Sequence, residues 1–84
     1  MITHIVLFKL KDRSPESVAK ARDALASLAG NVPTLRSIEV GTDVVHGPRS
    51  YDVAVVAKFD FVEDLEAYRV HPFHVGVGNY VASA

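Results

Sequence analysis

The start of the chain sets the problem that its fold must solve. Ile2, His4, Val6, Phe8 and Leu10 alternate onto one face, and Thr3, Ile5, Leu7, Lys9 and Lys11 onto the other. A period of two predicts a strand over residues 2–11. Both of its faces are apolar at the centre, so each needs a cover. Residues 51–60 repeat the pattern, with Tyr51, Val53, Val55, Ala57 and Phe59 on one face and Ala54 and Val56 on the other. A less regular strand is predicted over 35–45, with Ile38 and Val40 toward the core.

Helices fill the intervals. Ser14 is placed to cap a helix with Pro15 at its first position and Glu16 in its first turn. Val18, Ala21, Leu25 and Leu28 then form one apolar stripe. Gly30 suits a left-handed stop, and Pro33 prevents continuation. Asp60, with Glu63 three residues later, predicts the cap of a short helix through Tyr68. Pro72 restarts a helix toward residue 82, weakened by Gly76 and Gly78. The order β-α-β-β-α-α predicts an α+β fold, in one domain spanning 1–84. Helices of a single chain cover one face of its sheet. The other face is expected to meet the sheet of a second copy, giving a homodimer.

Composition removes several function classes. A hydrophobic content of 49% marks a globular chain rather than a disordered one. The net charge is −1 and the basic residues are scattered, so no nucleic acid partner is expected. Without cysteine there is no disulfide, thiolate metal site or thiol chemistry. The longest uninterrupted apolar run, 53–57, is far shorter than the ~20 residues that span a bilayer. No basic leader with a long apolar region opens the chain, so a cytoplasmic location is expected, with no membrane partner.

Polar chemistry concentrates in 68–74, read with His4. Tyr68 and His74 flank the break at Pro72, which can turn both toward one cavity although a continuous helix would not. An imidazole, with an unperturbed pKa of about 6.5, suits proton abstraction beside a carbonyl. A phenol suits hydrogen bonding to the carbonyl oxygen. The plainer alternative makes Tyr68 an amphipathic core residue and His4 a core histidine bonded to its neighbours. His71 is expected to cap the last helix or face solvent. His4, His71 and His74 form a poor metal set, because no carboxylate follows at a supporting interval and Pro72 constrains the 71/74 pair. No metal or cofactor is therefore expected. Gly76 and Gly78 lack the preceding strand of a phosphate loop, and suit close helix packing or a cavity wall.

His4-Ile5-Val6-Leu7-Phe8-Lys9-Leu10-Lys11, Ser37-Ile38-Glu39-Val40-Gly41 and the segment Tyr68-Arg69-Val70-His71-Pro72-Phe73-His74 together resemble the stress-responsive dimeric α/β-barrel (Dabb) family. The resemblance implies a ferredoxin-like subunit whose sheet joins that of its twin in a homodimeric α/β barrel. Its branch of plant polyketide cyclases performs a cofactor-free intramolecular aldol condensation. By similarity to that branch, His74 would be the base, Tyr68 its assistant, and His4 part of the cavity wall. The run His74-Val75-Gly76-Val77-Gly78 also resembles that branch. Two departures stand out. No tyrosine lies between residues 14 and 30, where the cyclases place a further pocket tyrosine, and the domain 1–84 is expected to lack the family's usual last strand. Two readings follow. One is a homodimer that binds a small apolar carbonyl compound in a pocket lined by His4, Val6, Phe8, Val55, Ala57 and Phe59. The other is a cofactor-independent cyclase or isomerase using His74 and Tyr68 for acid–base chemistry.

Overall fold

The alternation of the two long apolar stretches survives in the computed structural model, which describes residues 1–84. Its elements are β1 (Ile2–Phe8), α1 (Pro15–Ala26), β2 (Ser37–Thr42), β3 (Val53–Phe59), α2 (Val62–Val70) and α3 (Pro72–Ser83). The strands form one antiparallel sheet in the order β1-β3-β2. Ile2 lies opposite Phe59 and Phe8 opposite Val53; Ser37 lies opposite Lys58 and Thr42 opposite Val53. This is the α+β, ferredoxin-like subunit expected, and no helix in it is long and apolar enough to cross a membrane.

All three helices lie on one side of the sheet. Beneath them, Val53, Val55, Ala57 and Phe59 of the central strand are buried with Ala21, Leu25, Leu28, Tyr68 and Val81. The reverse face carries Thr3, Ile5 and Leu7 of β1 beside Lys58, Val56 and Ala54 of β3 and Ser37, Glu39 and Gly41 of β2. It is bare: Ile5 is 63% exposed and Leu7 51%. The sheet is therefore two-faced, as its sequence requires, with one face finished and the other not.

The local signals explain the element ends. Ser14 Oγ accepts the Ser17 N–H at 3.2 Å, capping α1. After Ala26 the chain tightens through i→i+3 bonds, Leu28 to Leu25 and Asn31 to Leu28, before Gly30 turns it at a φ of +79°. Three expectations are corrected. The second strand stops at Thr42, because the Asp43 carboxylate accepts the N–H groups of Val45 (3.1 Å) and His46 (2.6 Å) and bends the chain. Tyr51 does not join the inner face: β3 begins at Val53, and Tyr51 is 49% exposed, beneath the Lys9 ammonium. Asp60 does not cap α2, whose cap residue is Phe61; it pairs with Arg36 at 3.3 Å.

Candidate functional site

The break at Pro72 brings together residues that a straight helix would separate. His71 is both the C-terminal cap of α2 and the N-terminal cap of α3: its N–H bonds Tyr68 O, and its Nδ1 accepts the Phe73 N–H at 3.1 Å. Across that corner the rings of Tyr68 and His74 lie with centroids 4.2 Å apart. Phe59 braces Tyr68 from the core side at 5.0 Å, and His4 approaches its edge at 6.5 Å.

His74 Nδ1 lies 3.2 Å from the carbonyl oxygen of Arg69. A carbonyl only accepts, so this contact assigns the proton to Nδ1. The lone pair of the neutral ring is then on Nε2. Thr34 Oγ1 is the sole buried side-chain polar atom without a partner. The Tyr68 hydroxyl, His74 Nε2 and both ring nitrogens of His4 also lack protein partners, so these atoms must still reach open space. Burial raises the Tyr68 pKa and keeps the phenol neutral as a donor.

These residues surround a small cavity of about 40 Å³ between the sheet and the helices. Of the residues expected to line a pocket, His4, Val6, Phe8 and Val55 line this one, together with the expected acid–base pair Tyr68 and His74. Ala57 and Phe59 lie outside this lining. Both are wholly buried, and Phe59 supports Tyr68 from below. Leu25, Val77 and Gly78 complete the wall. Of these, Gly78 carried a sequence signal as a possible wall residue, whereas Leu25 read only as core.

A second polar cluster escaped sequence reasoning. Asp52 is the one buried charged residue, accepting the Leu10 N–H at 2.8 Å and Arg13 Nε at 2.9 Å. Burial pushes its carboxyl up. The Leu10 N–H and the Arg13 guanidinium outweigh that effect and hold it below the usual carboxylate range, against the opposing charge of Asp43. A wider hollow of about 220 Å³ adjoins this cluster, between α1 and the end of β2. Its charged groups are already engaged: Arg13 with Asp52, Arg22 with Asp23, and the Asp43 carboxylate with the N–H groups of Val45 and His46. The smaller cavity is the better candidate site, because Tyr68, His74 and His4 converge there on an otherwise apolar wall.

The stress responsive A/B barrel domain family, Dabb, matches residues 2–84. An uncharacterized protein of Streptomyces coelicolor is 35% identical over 77 residues, covering 88% of this chain and 79% of the relative. Olivetolic acid cyclase of Cannabis sativa is 27% identical over 85 residues, covering 98% of this chain and 84% of that enzyme. Among solved structures, a dimeric ferredoxin-like protein of unknown function from Thermobifida fusca superposes with a TM-score of 0.80. It is 33% identical, and the match covers 95% of this chain and 76% of that one.

Proposed function

The chain belongs to the stress responsive A/B barrel domain family, and we propose that it works as a homodimer that binds a small apolar carbonyl compound beneath its helices, without a cofactor. The observation that carries the ligand reading is the convergence of Tyr68, His74 and His4 on one otherwise apolar cavity. A carbonyl oxygen would accept from the Tyr68 hydroxyl, while Val6, Phe8 and Val55 would contact the carbons next to it. Saturable NMR shifts at His74 and Tyr68 on titration with acetophenone would support this; their absence at millimolar ligand would remove it.

The dimer reading is supported by the bare sheet face. Only 12 of 84 residues are buried, so a single copy has a small core and leaves Ile5 and Leu7 in water. The similarity to dimeric ferredoxin-like structures adds to this. Leu7→Lys would place a charge in the middle of the paired sheets. The expected result is a monomer by sedimentation velocity; a wild-type monomer at micromolar concentration would refute the dimer.

The position of His74 favours a second reading, acid–base chemistry. Its ring is oriented through Nδ1, and Nε2 is free to take a proton from the carbon beside a carbonyl. The charge that develops on the carbonyl oxygen would be met by the Tyr68 O–H. A positioned base contributes about 10²–10⁴-fold, enough for enolisation and for an aldol-type cyclisation or isomerisation. The 27% identity to olivetolic acid cyclase supports the same direction. The test is deuterium incorporation beside the carbonyl of acetophenone in heavy water. Exchange above buffer that His74→Ala abolishes supports this reading, and exchange at the buffer rate refutes it.

A further inference from the structure

The inner cavity is small for a ligand site. Its 40 Å³ approaches the ~30 Å³ share of one water, whereas small-molecule sites occupy about 300–1,000 Å³. Directly outside, between α1 and α3, lies a groove of about 440 Å³ lined by Ala24, Pro72, Phe73, Gly76, Val77 and Tyr80. No charged side chain lines it.

Val77 lines both spaces. Helical geometry explains why. At 3.6 residues per turn, His74, Val77, Gly78 and Val81 share the stripe facing the sheet, and Phe73, Gly76, Val77 and Tyr80 share the stripe facing α1. Opposite, Leu25 lines the cavity and its neighbour Ala24 the groove. The Val77 isopropyl group is thus part of the wall between them.

The glycines on either side of Val77 point the same way. A Cβ at Gly76 or at Gly78 would meet no heavy atom within 4 Å. Close packing therefore does not require either glycine, although each weakens the helix by about 1 kcal/mol relative to alanine. What they provide is empty volume on both sides of one mid-sized side chain.

We propose that Val77 is the gate between the polar cavity and the α1–α3 groove, and so a specificity-determining residue. The carbonyl end of the ligand passes it to reach Tyr68 and His74, and the uncharged apolar body stays in the groove against Phe73 and Tyr80. The identity of the ligand rests on the binding reading above; the passage itself does not. The competing route runs along the open edge of β1, where His4, Val6 and Phe8 are half-buried.

The absence of cysteine makes the test clean, since one introduced thiol is then the only one. Gly78→Cys puts a thiol on the cavity wall and Gly76→Cys puts one in the groove. Each is treated with benzyl methanethiosulfonate in backgrounds carrying Val77, Val77→Phe or Val77→Ala. The Gly76→Cys thiol is expected to react at nearly the same rate in all three. The Gly78→Cys thiol is expected to react about tenfold slower with Val77→Phe and about tenfold faster with Val77→Ala. Gly78→Cys rates that ignore residue 77 overturn the gate and assign access to the β1 edge. If Gly78→Cys does not fold, His74→Cys offers a thiol one turn earlier with the same expected dependence. Acetophenone shifts at Tyr68 are read separately, so a gated but ligand-free protein refutes binding and leaves the gate standing.

Discussion

Two polar clusters lie in this apolar interior, and they obey opposite rules. At the start of β3, both Asp52 oxygens are bonded, one to the Leu10 N–H and one to Arg13. That carboxylate ties the end of β1 and the approach to α1 to the central strand. Under α2 and α3, Tyr68, His74 and His4 crowd together, and the one side-chain hydrogen bond among them is that of His74 Nδ1 with Arg69 O. The first cluster closes on itself; the second is open to something from outside. Burial of a polar residue does not separate structure from function here, but the completeness of its bonding does.

The largest effect that would break this contrast belongs to Asp52. Asp52→Ala leaves the Leu10 N–H and the Arg13 guanidinium without their partner. The expected loss is about 2–4 kcal/mol of folding stability, read from the urea midpoint, because both groups lose a charge-assisted bond. A loss near zero would mean that the cluster is decorative. The same residue predicts an acid limb. Its folded pKa is depressed, so its contribution is complete above the ordinary carboxylate range, about 4, and disappears as pH falls through the folded value. Asp52→Asn should flatten stability against pH below about 4.

The open cluster should respond in reverse. His74→Ala removes a half-buried ring packed at a tilt against Tyr68, and about 1 kcal/mol of stability is expected to go with it. Acetophenone binding and any deuterium exchange should vanish. A large destabilisation with binding retained would make His74 a packing residue and erase the distinction between the clusters.

What the sequence disclosed about these clusters follows from the range of the forces involved. Strand parity put His4, Val6 and Phe8 on the covered face and Ile5 and Leu7 on the bare one, because side chains alternate whatever the tertiary context. Pro72 announced the corner that joins Tyr68 to His74. Parity gives the face, however, and not the position under it. Ala57 and Phe59 share a face with Val55, but they fall outside the cavity lining, Phe59 against Tyr68. Parity also fails where a strand has not begun: the chain bends at Asp52, so Tyr51 leaves the pattern. Asp52 was illegible for another reason. Its partners are 39 and 42 residues away, a separation that no local period encodes. The family resemblance extended the reading to roles for Tyr68, His74 and His4, but it assigned none to Asp52 or Val77.

The smallest expected effect is the sharpest test, because it concerns one oxygen atom. Tyr68→Phe keeps the ring between Phe59 and His74 and deletes a hydroxyl that bonds nothing in the protein. Were the hydroxyl structural, its loss would cost about 1 kcal/mol, the net worth of a typical hydrogen bond. With no partner to lose, stability at neutral pH should change by less than about 0.5 kcal/mol, while acetophenone binding weakens. Alkali adds an independent check. The Tyr68 pKa is raised by burial, so the folded state holds the phenol proton more tightly than the unfolded chain does. That contribution is complete below the ordinary phenol value, about 10, and is lost as pH rises through the folded value. Tyr68→Phe should therefore unfold less readily than the wild type above about pH 10, despite being indistinguishable from it at pH 7. Equal alkaline limbs would mean that the phenol is solvated in the folded state. The open cluster would then be an ordinary wetted surface rather than a site shaped for a carbonyl oxygen.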